Sequence, residues 1–98
     1  MKTYGTFYLG EVRPVAISIR DQNDASWVPT SASSYVADSE GEIVIDEATA
    51  YIDVSAKTVT AVIDTSGLDA SGQYEIVWKL IQSTYTYYHK TQLSIEGL

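Results

Sequence analysis

The residues with the most chemical potential in this sequence are its carboxylates. No base occurs between Arg20 and Lys57, yet Asp21, Asp24, Asp38, Glu40, Glu42, Asp46, Glu47 and Asp53 all fall there. Asp38-Ser39-Glu40-Gly41-Glu42 holds the oxygen-bearing residue types of a calcium loop without the ordered spacing of one. A pair of carboxylates could also act as the acid and base of a glycosidase, but none sits at a defined spacing from an aromatic subsite. The plainer reading is a solvated acidic flank that discourages strands from pairing edge to edge. His89 is the only histidine, so a metal site built on several imidazoles cannot form. Nothing marks a nucleophile elbow for a Ser-His-Asp arrangement. Without cysteine there is no disulfide framework, thiolate metal site or thiol nucleophile. The expectation is no catalytic residue, no metal ligand and no cofactor.

Aromatic residues are the more suggestive set. Tyr85-Thr86-Tyr87-Tyr88-His89 puts tyrosines on both faces of one extended segment. If Leu93 and Ile95 point inward, alternation turns Tyr85 and Tyr87 inward too, with Tyr88 and Lys90 outward; a bulge would reverse this. Tyrosine brings large contact area, few rotamers and a polar tip, so it suits an interface, whereas cross-strand packing on Trp78 or Tyr51 is the structural alternative. Tyr4, Phe7 and Tyr8 crowd the N-terminal segment, which must dock on this domain or on a neighbouring copy. Trp27, in the polar loop Asp21–Thr30, is a further contact candidate unless it plugs the end of the core. Candidate interface residues are thus Tyr4, Phe7, Tyr8, Trp27, Tyr87 and Tyr88.

These side chains need a frame, and 98 residues supply one domain's worth. With 45% apolar and 19% charged residues, the composition is that of a globular domain and not of a disordered chain. Thirteen acids against six bases give a net charge of −7, which disfavours nucleic acid as a partner. No apolar run is long enough to span a bilayer, and Met1-Lys2 leads into no signal-peptide core.

Period-two patterning runs throughout. Val15, Ile17 and Ile19 alternate with Ala16, Ser18 and Arg20, giving a strand with one buried face. Short strands follow over Ser34–Ala37 and Glu42–Asp46, the second with Ile43 and Ile45 on one face. Ala48, Ala50, Ile52 and Val54 alternate with Thr49, Tyr51 and Asp53, and this segment pairs antiparallel with Thr58–Asp64 across Ser55-Ala56-Lys57. Gln73–Ile81 carries Tyr74, Ile76, Trp78 and Leu80 on one face and apolar residues on the other too, so it reads as a central strand. A Gln82-Ser83-Thr84 turn leads into a last strand, Tyr85–Ile95. The sequence therefore predicts an all-β fold: an immunoglobulin-like, two-sheet antiparallel sandwich of seven to eight strands over residues 10–98. Residues 1–9 form an N-terminal arm or edge strand. Tyr74, after Gly72 and an Asp-led turn, is placed to fix a corner by returning its hydroxyl to upstream backbone.

Leu9-Gly10-Glu11-Val12-Arg13-Pro14, then Val59-Thr60-Ala61-Val62-Ile63-Asp64-Thr65-Ser66-Gly67-Leu68, then Gly72-Gln73-Tyr74-Glu75-Ile76-Val77-Trp78 form a familiar layout. From Leu9 onward the chain resembles the small immunoglobulin-like β-sandwich proteins of tailed-bacteriophage structural gene clusters. The resemblance implies a non-enzymatic virion protein, assembled in the host cytoplasm: a head decoration, a head–tail joining (neck) piece, or a tail or baseplate module. Its implied partners are other virion proteins or copies of itself in a symmetric assembly, with neither nucleic acid nor membrane. One implied geometry has the arm adding a strand to a neighbouring sheet. The competing class is an immunoglobulin-like binding module for a glycan or a host surface protein.

Overall fold

The computed structural model describes residues 2–19, 29–68, 71–82 and 84–97, with residues 2–6 described by their backbone alone. Eight strands follow one another: β1 Lys2–Tyr8, β2 Val12–Ser18, β3 Ser31–Asp38, β4 Ile43–Thr49, β5 Tyr51–Asp53, β6 Thr58–Asp64, β7 Gly72–Gln82 and β8 Tyr85–Glu96. They form a five-stranded sheet in the order β1-β8-β7-β3-β4 and a three-stranded sheet in the order β2-β6-β5. The described residues contain no helix, as the period-two pattern predicts.

One core joins the two sheets. Val15, Ile17 and Ile19 with Val59, Ala61 and Ile63 supply the smaller sheet's inner face. Phe7, Ala32, Val36, Tyr74, Ile76, Trp78, Leu80, Leu93 and Ile95 supply the larger one's. At its centre the Trp78 indole N–H donates to the Thr91 hydroxyl at 3.0 Å, out of contact with water. β7 is the central strand, and Val77 on its other face is also buried. The predicted pairing of β5 with β6 is present, and a Val54–Lys57 turn joins them. Lys57 takes a positive φ of 55° there, and the Asp53 carboxylate accepts the Ala56 N–H.

Three expectations need correction. The larger sheet is mixed and not wholly antiparallel, because β1 runs parallel to β8. The segment from Ala48 to Val54 breaks at Ala50, so Val54 stands in the turn, exposed, instead of continuing the buried face of Ile52. Ile43 and Ile45 do not share a face. The β3–β4 register shifts between Val36 and Ala37, setting Ile45 opposite Val36 but Ile43 opposite Ala37. A bulge of this kind breaks simple alternation.

The end of the molecule opposite the β7–β8 turn is locked by Thr65, which has no exposed surface. Its hydroxyl proton is shared between the carbonyls of Glu11 (2.8 Å) and Tyr8 (3.2 Å), while its N–H donates to Glu11 at 2.9 Å. Gly10, at φ 93°, makes the tight return from β1 to β2 that this lock holds.

Candidate functional site

β7 and β8 pair without interruption from Gly72↔Ile95 to Gln82↔Tyr85. They are 11 and 12 residues long, whereas the strands of the smaller sheet have at most seven. The hairpin therefore outruns the sheet that should cover it. Thr91, Leu93 and Ile95 are buried on β8's inner face, and on the same face Tyr85, Tyr87 and His89 are exposed. At that end the core is built from Ala32, Leu80, Ile19 and Ala50, and β8 contributes nothing to it.

Alternation thus puts Tyr85 and Tyr87 on the predicted side, but the expectation that they point into the core is corrected: they remain 65% and 45% exposed. Tyr88, 62% exposed, stands on the other face with Lys90, whose ammonium lies 4.0 Å from the Glu75 carboxylate. An exposed pair at that distance contributes little to stability. The tyrosines of this overhang are flanked by no carboxylate from Tyr85 to Lys90, which is unusual ground in a chain carrying −7.

The N-terminal aromatics separate. Phe7 has no exposed surface; it belongs to the core of its own chain, with the Arg13 guanidinium 4.0 Å over its ring. As a contact residue it is therefore corrected to a core residue. Tyr8 is half-exposed beside the turn, its N–H donating to the Glu11 carboxylate at 2.7 Å. The Tyr4 backbone pairs with Leu93, and its side chain lies outside what the structure describes. Trp27 lies outside the described residues altogether. β1 docks on its own β8, so the arm is an edge strand of its own sheet.

One surface escaped the sequence reading. On the outer face of the smaller sheet Pro14 stands opposite Val62, and Ala16, Thr60 and Tyr51 form the next row. Val12, Val62 and Tyr51 are 59%, 68% and 69% exposed. Among the described residues of this face, charges occur only at its ends, at Asp64 and Asp53. The alternation read for Val15 to Arg20 puts Ala16, Ser18 and Arg20 on the wetted face, and that for Ala48 to Val54 puts Tyr51 there, but Val12 and Val62 are not part of either reading. The available signal was Val12 and Val62 themselves, two β-branched residues in positions that alternation assigns to solvent.

In the acidic segment, Asp38 is held by its own turn. Its carboxylate oxygen accepts the N–H groups of Glu40 and Glu42, each at 2.9 Å, and Gly41 takes φ 85° between them. A shallow groove of about 460 Å³ runs from this turn past Gln73, Glu75 and Gln92. Among the described residues no three acids or histidines are grouped as a metal ion requires. Asp64 is pulled below the ordinary carboxylate value by the Ser66 hydroxyl and then by the Ser66 N–H.

No protein-family model matches this chain, and no curated protein matches it by sequence.

Proposed function

We propose that this protein is a non-enzymatic assembly module that works by docking on other protein subunits, and that its setting is the virion of a tailed phage. One observation carries the docking reading. Exposed tyrosine and valine side chains are collected on strand surfaces where carboxylates stand only at the margins, at Asp53, Asp64 and Glu75, in a chain that carries −7 overall. Apolar patches of this kind mark contact sites, and the surrounding negative charge keeps free subunits apart. The phage setting rests on the resemblance of the strand motifs.

The strand order supports an immunoglobulin-like reading of the sandwich. Taking β2 to β8 as B, C, C′, D, E, F and G gives the sheets B-E-D and G-F-C-C′. Tyr74 then lies near the start of F, buried opposite Leu93, where a corner tyrosine belongs. The core tryptophan departs from the antibody pattern, since Trp78 sits on F and not on C.

Quantitative mass spectrometry of gradient-purified phage particles from the source culture tests the setting. Abundance near that of the major capsid subunit means shell decoration, and a small fixed fraction means a neck, tail or baseplate part. Absence from clean particles would sink the virion reading in favour of a binding module. Glycan binding lost on Trp27→Ala would then identify that module's ligand class.

A further inference from the structure

Val12, Pro14 and Ala16 of β2, Val62 of β6 and Tyr51 of β5 stand exposed on the outer face of the smaller sheet. The β2–β6 register beneath them runs without a shift from Val12↔Asp64 to Ser18↔Thr58, so they form one continuous strip. The sheet offers poor edges. β2 contains Pro14, which has no N–H to give a further ladder, and β5 has three residues. Contact here is therefore made face-on, and an apolar patch with a polar rim marks a protein contact.

Two carboxylates close the strip. Asp64 lies at one end, and Asp53, opposite Thr58, lies at the other. The stretch of β6 between those ends spans about 20 Å at strand rise. Each acid is held in place by its own turn. The Asp64 Oδ1 accepts the Ser66 hydroxyl and N–H, and the Asp53 Oδ1 accepts the Ala56 N–H at 3.0 Å. Among the described residues neither Oδ2 has a hydrogen-bond partner. A group already fixed loses little freedom when it pairs. The larger sheet's outer face is built differently, because Glu75, Lys79 and Lys90 stand within it.

We propose that this face docks a partner protein of complementary make: an apolar row with a lysine or arginine at each end, the two bases about 20 Å apart. This rests on the docking reading above and names the chemistry of the partner's surface.

A second copy of this chain does not meet that description. In an aligned face-to-face pair, a two-fold axis along the strands sets Asp64 against Asp64, and one across them sets Asp64 against Asp53. Either way acid meets acid at both ends, in two chains that each carry −7. The patch is also small. Its side chains cover on the order of a few hundred Å², below the roughly 800 Å² per partner of a stable complex. The contact is therefore a weak one that the end charges steer and align, and salt weakens it.

Dodecane-1,12-diamine reproduces the partner's chemistry, since it is an apolar chain with an ammonium at each end that reaches from one acid to the other. In an NMR titration of the whole chain at low salt, it is expected to shift Val12, Ala16, Tyr51, Asp53, Val62 and Asp64 together, with one dissociation constant. Butane-1,4-diamine, too short to touch both acids, is expected to bind more weakly. Asp53→Asn and Asp64→Asn should each weaken the long diamine by roughly two- to five-fold, the effect of an exposed ion pair. Val62→Ser should weaken the long diamine and leave the short one unchanged. Circular dichroism of the three variants checks that the fold is kept. Shifts of equal size over the Asp38–Glu42 turn, or binding indifferent to diamine length, would overturn the proposal. So would a wild type that dimerises in sedimentation equilibrium and loses the dimer in Val62→Ser, because a second copy would then be the occupant. A chain that ignores the diamine yet is found in purified phage particles loses this partner and keeps the assembly reading.

Discussion

The two halves of β8 are made of one strand, yet they live under different physics. From Thr91 to Ile95 the inward residues are covered by the smaller sheet, and the one polar group among them, the Thr91 hydroxyl, is matched to the Trp78 N–H. From Tyr85 to Lys90 no described residue of the core cluster belongs to the strand, and the same alternation leaves Tyr85, Tyr87 and His89 exposed. A residue's face is set by parity, but its burial is set by how far the opposing sheet reaches. The covered half should carry stability and the overhanging half should carry contacts.

Substitution can break or sharpen that contrast. Trp78→Ala is expected to cost about 3–5 kcal/mol, as for other buried large-to-small changes, while Tyr88→Ala stays within about 0.5 kcal/mol as an exposed surface change. Urea unfolding of the two variants side by side reads the difference, and comparable losses would erase the distinction between the halves. Thr91→Val keeps the shape of the side chain but strands the indole N–H in the core, at an expected cost of about 1–3 kcal/mol. A neutral result there would mean that the Trp78 N–H finds another acceptor.

The smallest effect concerns Asp64, on the far side of the molecule from the overhang. Its folded value lies below the ordinary one because Ser66 donates to the charged carboxylate. The contribution is complete above the unfolded carboxylate value and fades as pH falls through the folded one. The group is fully solvent-exposed, so the signature belongs in an NMR titration and not in a melting curve. The Asp64 midpoint should lie below 3.8 and rise in Ser66→Ala. An unchanged midpoint would deny Ser66 its role.

Much of the frame was legible in the sequence because alternation carries it. Val15, Ile17 and Ile19, the inward set of β7, and Leu93 with Ile95 all lie where period two puts them. Three things were hidden for physical reasons. The direction of β1 depends on long-range pairing, which local pattern does not encode. The bulge opposite Val36 and Ala37 separates Ile43 from Ile45 without leaving a glycine or proline to announce it. The exposure of Tyr85 and Tyr87 follows from a mismatch in strand length between two sheets, a property of neither segment alone. The candidate contact set rests on residue type, place in the chain and alternation, none of which reports how much of a strand the opposing sheet covers. Type did not separate Phe7, which the core takes, from Tyr88, which stays in water.

The parallel pairing of β1 with β8 has a consequence for biosynthesis. The domain's first strand finds its neighbour only when the domain's last strand has been made, since Lys2 pairs with Thr91 and Tyr8 with Glu96. Until then β1, with Phe7, has no sheet to join. Pairings so far apart in sequence are slow to form, because the chain-closure entropy comes before any contact offsets it. Native closure of this domain therefore waits for its last strand, and β1 is the strand most open to capture by another copy in the interval.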